Sequence, residues 1–319
     1  MPAHLVIERR SAGGYHRLAC LISGGGGIDR LKVYSKVPAE NFDSTILRST
    51  TSMELSKVVA FLRKFAPIEI AEAWDNVGLL LEPSMCAVKK VLLTNDLTES
   101  VMDEAIATKA NLIVSYHPPL FTPIKRICQD NWKSRIVIRC LENRIAIYSP
   151  HTSWDNVRGG VNDWLSKAFR RFPHQVDVLQ KLTDSPDVPP GSGIGRQLTL
   201  EKPIPSEEAL EAIKSHVGAK HIRLARPTKT VAIQRVGICA GSGSSVIRLA
   251  PAGTFDMVLT GEMSHHDVLD LVHQGSHVVL CEHSNSERGF LHEFKTVLEE
   301  NLQLAVEVST ADKDPLSIE

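Results

Sequence analysis

What the sequence lacks narrows the field first. No apolar run among the 319 residues approaches the roughly 18 that a membrane span requires, so no membrane role is expected. Excess charge of one sign is also missing. The 36 Lys and Arg against 37 Asp and Glu leave a formal net charge of −1, which gives no electrostatic case for direct nucleic-acid binding or an anionic membrane surface. The six cysteines, Cys20, Cys86, Cys128, Cys140, Cys239 and Cys281, form no C-x-x-C pair. That argues against a disulfide framework and for a reducing compartment. Nucleophile and nucleotide motifs are absent as well. There is no Gly-x-Ser-x-Gly elbow and no His-Glu-x-x-His, and no Gly-Lys-Ser/Thr follows the run Gly24–Gly27. Gly241-Ser-Gly-Ser-Ser lacks a P-loop lysine and stays open between an anion cradle and a tight packing turn.

What is there is histidine, 13 residues of it, several at the ends of apolar runs. The clearest case is Asn111–Phe121, NLIVSYHPPLF. Its β-branched run reads as a strand buried on both faces. Pro118 and Pro119 cannot extend a ladder, so the strand must stop at His117. In open α/β sheets ligands gather beyond the carboxyl ends of strands.

The rest of the chain repeats this rhythm. Strands are predicted at Val91–Leu93, Ile145–Tyr148, Val236–Ala240, Met257–Leu259, Val278–Cys281 and Ala305–Ser309. Between them, helical stretches run from Thr98 to about Lys109, near Trp132–Glu142, over Val161–Phe169, from a Ser206 cap to Gly218, and from about Glu287 to Leu302. Thr51-x-x-Glu54 reads as a capping box opening an earlier helix. Strands alternating with helices of this length imply an α/β fold of two related lobes, with mixed, largely parallel sheets facing a common cleft. Residues 1–50 form an extension, either disordered or, being Arg-rich and acid-poor, a targeting segment for mitochondria. Residues 51–172 make the first lobe and 206–319 the second. The Pro/Gly-rich stretch 173–205 reads as a linker or irregular crossover.

Beyond the strand ends lie His117, His151, Asp155, Glu262, His265, His266, His283 and Glu287. Imidazole suits transition metals and a carboxylate can bridge two of them, and a pair of ions can drive hydrolysis. Singly, each histidine is more simply a hydrogen-bonded residue; their joint occurrence at carboxyl strand ends favours a metal site. Trp74-Asp-Asn-Val and Trp154-Asp-Asn-Val resemble each other and read as turns anchored by tryptophan.

Six motifs occur in order: Glu72-Ala-Trp-Asp-Asn-Val-Gly-Leu-Leu, Ser115-Tyr-His-Pro-Pro, Tyr148-Ser-Pro-His-Thr with Asp155, Gly159-Gly-Val-Asn, Thr260-Gly-Glu-Met-Ser-His-His-Asp, and His283-Ser-Asn-Ser-Glu. In them the chain resembles the NIF-three-like family, its animal branch most of all, over residues 53–319. Bacterial members of that family are labelled GTP cyclohydrolase type-two homologues, a label that no residue here supports. The resemblance implies a two-lobed subunit in a toroidal hexamer. It also implies two divalent ions (zinc, iron, manganese or similar) held by His117, Asp155, His283 and a bridging Glu287. His151, Glu262 and His265 fall near that site without a carried-over role.

Two departures stand out. Most bacterial members place a histidine where this chain has Tyr116, a poorer ligand whose pKa near 10 keeps it protonated; one ion is therefore expected to be weakened. Many relatives also carry an inserted domain where this chain has only 173–205. Two functions follow as expectations. The first is a metal-dependent hydrolase of a nucleotide-like or phosphorylated small molecule, with His265 or His151 moving protons. The second is an interaction protein for transcriptional regulators, cytoplasmic and also nuclear, that retains the metal site for stability.

Overall fold

The computed structural model describes residues 4–8, 15–21 and 32–38, there as strand paths only, and then 52–84, 87–182, 186–229 and 231–317. Residues 1–50 form a compact unit of their own. Within it β1 (His4–Glu8), β2 (Tyr15–Leu21) and β3 (Lys32–Pro38) pair antiparallel in that order. Short apolar runs such as Leu5-Val6-Ile7 account for strands where the overall composition suggested only an extension. The run Gly24–Gly27 lies outside the described residues.

Residues 51–319 form the second unit. The short pair β4 (Met53–Glu54) and β6 (Ala87–Val88) brackets the helix Leu55–Phe65 and β5 (Gly78–Leu81). Leu55, Val58 and Leu62 of that helix are buried, as their spacing predicts. The capping box does not form as read: Glu54 itself occupies the N-cap and makes no side-chain cap bond, and Thr51 lies outside the described residues.

β7 (Lys90–Thr94), β8 (Leu112–Ser115) and β9 (Ala146–Ser149) run parallel, connected by the helices Glu99–Ala107 and Trp132–Glu142. β5 closes one edge antiparallel to β9. Thr98 caps its helix as read, accepting from the Val101 amide at 3.4 Å.

The second sheet contains β10 (His174–Lys181), β11 (Gly193–Ile204), β12 (Arg223–Ala225), β13 (Ile233–Ser242), β14 (Met257–Glu262) and β15 (His277–Leu280), in the order β10-β11-β13-β14-β15-β12. Only the β13–β14 and β14–β15 pairings are parallel, so this sheet is more antiparallel than the sequence rhythm implied. The reason is the stretch read as a linker. It is a hairpin: β10 pairs with β11 from His174↔Leu200 to Lys181↔Gly193, and β11 continues onto β13. Its prolines do not oppose this. Pro173 precedes β10, Pro186, Pro189 and Pro190 lie between the strands, and Pro203 lies within the register shift between Thr199 and Ile204 of β11. A Cβ on Gly193 would stand 2.5 Å from the Gln180 carbonyl oxygen, so glycine there permits the strands to approach.

The last strand, β16 (Ala305–Val308), leaves the second lobe and pairs parallel with β7 at the edge of the first sheet. The lobes are thus joined twice, and they share an interior. Leu93, Val114 and Tyr148 from the first sheet lie in one apolar core with Val236, Leu259, Trp154 and Phe294. The alternate residues Leu92, Ile113 and Ile147 pack instead under the two crossover helices, against Val101 and Ile136. Among the described residues no helix is long and apolar enough to cross a membrane.

Candidate metal centre

The strand registers determine what meets at the carboxyl edges. Thr94 pairs with Ser115 across β7 and β8, so Asn95-Asp96 and Tyr116-His117 leave the first sheet side by side. Ladder-like bonds continue beyond the strands, Tyr116 N–H to the Thr94 carbonyl at 2.9 Å and His117 N–H to the Asn95 carbonyl at 3.0 Å. β9 runs into the short helix His151–Asn156, which carries both His151 and Asp155. From the second sheet, β15 leads to His283 and a 3-10 turn, Ser284–Ser286, with Glu287 at its C-cap. The helix expected from Glu287 begins at Phe290. Glu282, directly before His283, has φ +70 in the left-handed region, a strained backbone next to a functional side chain.

His117, His283 and Glu287 come together with their ligand atoms within 4.8 Å of one another. Each oxygen of Glu287 faces a different imidazole: Oε2 lies 3.5 Å from His117 Nε2, and Oε1 lies 3.2 Å from His283 Nε2. The Asn95 amide also donates to Oε2, at 3.0 Å. Both histidines thus present Nε2 inward and use Nδ1 outward. His117 Nδ1 meets Asp96 Oδ1 at 2.9 Å, and His283 Nδ1 meets Glu262 Oε1 at 2.9 Å. A carboxylate on the far nitrogen fixes ring orientation and tautomer, the arrangement of metal-ligating histidines. His151 repeats it, Nδ1 to Asp75 Oδ1 at 2.7 Å, and its ring lies 5.4 Å from that of His117.

Without an ion the trio behaves as a charge cluster. Burial would lower the pKa of His117, but the Glu287 charge and hydrogen bonds to Asp96 and Glu287 raise it to about 10. Its hydrogen bond to Glu287 raises His283 to about 9 against the opposing effect of burial. Burial would push Glu287 up, yet the two imidazoles bring it down to about 2.

Two nitrogens and a carboxylate facing one point are a donor set that suits zinc or iron. Space for an ion is kept by Gly241, which lies in the register shift between Cys239 and Ser242 at the end of β13. A Cβ there would lie 2.7 Å from Glu287 Oε1 and 3.2 Å from His283 Nε2, and its φ of +61 suits glycine. The Gly241 N–H donates to Ser286 Oγ at 2.8 Å, and its carbonyl accepts from Thr260 Oγ1 at 3.1 Å, which hold it in place. The residues present therefore fit a divalent ion.

Asp155 lies in the same cleft but outside the triad. Tyr116 donates to its Oδ1 at 2.6 Å, and burial raises the Asp155 pKa to about 6 despite that bond. The structure does not bring His265 to the cleft. Ser264 caps the exposed helix His265–His273, which carries His265 outward against His266, ring centroids 5.6 Å apart. The proton-moving role read for His265 is thus unsupported by its position, and of the two histidines read for that role His151 lines the cleft. That cleft, about 630 Å³, has His283 and Glu287 on its lining together with Gly241, Asp155 and Trp74.

From the sequence, Asn95 and Asp96 carry no role, Asp75 figures only in a tryptophan-anchored turn, Gly241 only at the start of an anion cradle or packing turn, and Glu262 without a role. Their signal was available in part, because Asp96 ends the strand that neighbours the His117 strand and parallel neighbours deliver their ends together.

A model of the Duf34/NIF3 (NGG1p interacting factor 3) family matches residues 53–315. The chain is 48% identical to NIF3-like protein 1 of Drosophila melanogaster over 275 residues, covering 85% of this chain and 91% of that protein. It is 36% identical to NGG1-interacting factor 3 of Saccharomyces cerevisiae over 286 residues, covering 85% and 99%. Among solved structures, the Bacillus cereus protein related to NIF3 superposes with a TM-score of 0.71 at 20% identity, covering 82% of this chain and 98% of that one. Reduced HcgD from Methanocaldococcus jannaschii gives 0.68 at 26% identity, covering 81% and 98%.

Proposed function

This chain belongs to the Duf34/NIF3 family, and on that premise we propose a metal-dependent hydrolase of a nucleotide-like or phosphorylated small molecule. The observation that carries the reading is the triad of His117, His283 and Glu287, closed around the space that Gly241 keeps open at one side of a 630 Å³ cleft. A centre of two ions is part of the proposal, because Glu287 turns one oxygen to each histidine, which suits a bridge, with Asp155 as a further carboxylate on the lining of the cleft. An ion held there supplies Lewis-acid polarisation of an oxygen and acidifies water. The chain's own groups do the rest. Asp96 and Glu262 hold the ligand imidazoles in the tautomer with a free Nε2. His151, its Nδ1 engaged by Asp75, has Nε2 left to accept or deliver a proton within the cleft. Elemental analysis of the purified chain with His283→Ala and Glu287→Ala tests this. Equal metal content and unchanged turnover in both variants would reject it.

A second reading is an interaction protein for transcriptional regulators, cytoplasmic and nuclear, with the ion as a structural element. The name of the yeast relative, an NGG1-interacting factor, favours it. A homo-oligomer, a hexamer in the fullest form, belongs to either reading. It is supported by the large apolar side chains left exposed at Phe121, Ile124, Ile127 and Trp132, and light scattering measures it. If chelation dissolves the oligomer while regulator binding survives, the second reading gains over the first.

A further inference from the structure

The lining of the cleft includes a tryptophan in an unusual state. Trp74 is 62% exposed, although it lines the same cavity as His283 and Glu287 of the triad. It is not on a loose loop. The Asp75 N–H donates to the Glu72 carbonyl at 2.9 Å, and the Glu72 N–H donates to Thr152 Oγ1 at 2.9 Å. The Asp75 carboxylate, its side chain wholly buried, accepts from His151 Nδ1 at 2.7 Å, from the Thr152 amide at 3.1 Å and from Thr152 Oγ1 at 2.5 Å. The Asn76 side chain donates to the Leu120 carbonyl. Five residues are thus clamped so that an indole stands in water. The two rings beside it, Phe121 at 6.1 Å and His151 at 5.9 Å, lie at 67° and 77° to it. Neither is parallel, so among the described residues no ring stacks face to face on the indole.

The surroundings say what would. Leu249, 48% exposed, lines the cleft too, and so do Glu72, Gln180 and Ser245. The Glu72 carboxylate has no hydrogen-bond or ion-pair partner among the described residues. A pre-set indole face, an apolar side chain and an unpaired acceptor suit a flat ring with N–H or amine donors. An apolar chain would not use the carboxylate, and a bare sugar phosphate would not use the indole.

We propose that the molecule processed in this cleft carries a heteroaromatic ring that stacks on Trp74 and donates to Glu72, with its reactive group at the triad. This names the substrate class of the site under the hydrolase reading and rests on that reading for the reactive group alone.

The test uses the full chain with guanosine 5′-monophosphate, adenosine 5′-monophosphate and ribose 5-phosphate, the last being the same phosphorylated sugar without the heteroaromatic ring. Binding is followed by calorimetry and, in Trp132→Phe, by tryptophan fluorescence. In that variant Trp74 is the exposed indole among the described residues, since Trp154 and Trp164 are buried. The ring-bearing probes are expected to bind about tenfold more tightly than ribose 5-phosphate and to quench the fluorescence. Trp74→Ala should erase that preference, and Glu72→Gln should weaken the ring-bearing probes alone. Equal binding of ring-bearing and ring-free probes, or no binding of the nucleotides, overturns the proposal. So does a Trp74→Ala variant that changes only the oligomeric state. Metal content measured on the same samples keeps the two readings apart: an ion-free protein that still prefers the ring loses the hydrolase reading and keeps the stacking site.

Discussion

The phenol of Tyr116 donates to Asp155 Oδ1 at 2.6 Å, so the carboxylate that would serve a second ion is already engaged. Burial holds the tyrosine pKa well above its ordinary value, and the Asp155 charge adds to the effect. The phenol therefore stays a proton donor and not a ligand. A second ion near Asp155 has to displace that bond and finds no nitrogen at position 116. Tyr116→His supplies one. The wild-type chain is expected to retain about one ion after desalting and Tyr116→His about two, read by elemental analysis. An unchanged count in the variant would mean that Tyr116 does not limit the second site.

The carboxylates behind the histidines act on the ion without touching it. Asp96→Asn and Glu262→Gln keep shape and remove charge, leaving His117 and His283 less firmly oriented. Each is expected to lower metal affinity by about 10- to 100-fold. Competition with a chromogenic chelator measures this, and circular dichroism checks that the fold is intact.

Gly241 gives a variant that removes no ligand and no charge. An alanine methyl would sit 2.7 Å from Glu287 Oε1 and 3.2 Å from His283 Nε2, on a backbone with φ +61. Gly241→Ala should lose the ion while costing on the order of 1 kcal/mol of stability for the left-handed backbone. Metal retained at the wild-type level would show that the ion space lies elsewhere.

The histidines were legible because the chemistry of a buried strand end is written locally: an apolar run, a histidine, two prolines. The same holds for Thr98 and Gly218, whose capping roles need no tertiary information. What failed was non-local. The hairpin β10–β11 has a proline-rich loop, and composition over 173–205 averaged that loop with two alternating strands. His265 lies within a few residues of Glu262 in sequence, yet the helix cap at Ser264 turns the chain outward between them. The Asp75–His151 pair joins residues 76 apart, which no spacing rule encodes.

Proton linkage gives the centre a pH signature. In the ion-free protein His117 titrates at about 10 and His283 at about 9, above the ordinary 6.5. Their contribution to stability is full below 6.5 and lost as pH rises through those values. Glu287, at about 2 against 4.5, contributes above 4.5 and is lost as pH falls through about 2. An ion needs neutral imidazoles, so its binding near pH 7.5 should release close to two protons, roughly one per histidine. Calorimetry in buffers of differing ionisation heat counts them. A release near zero would mean that the imidazoles are already neutral without the ion.

Arg196 tests how the hairpin is tied to the rest of the fold. It is 1% exposed, on β11, and its Nε and Nη2 meet the two oxygens of Asp163 at 2.8 Å each. Its remaining donors reach the carbonyls of Gly193, Gly195 and Val157 at 2.8, 2.8 and 2.9 Å. Asp163 belongs to the helix Val161–Ser166, so one guanidinium joins the hairpin to the first lobe's last helix. Arg196→Met removes the ion-pair partner of that carboxylate and takes one donor from each of three carbonyls, of which that of Val157 keeps the Gly160 N–H. The expected loss is about 3–5 kcal/mol in urea unfolding. Arg196→Lys keeps the charge but cannot supply the planar fork, and should recover only part of it. If Arg196→Met unfolds at the wild-type urea concentration, the hairpin is held by its strand pairing to β13 and not by this residue.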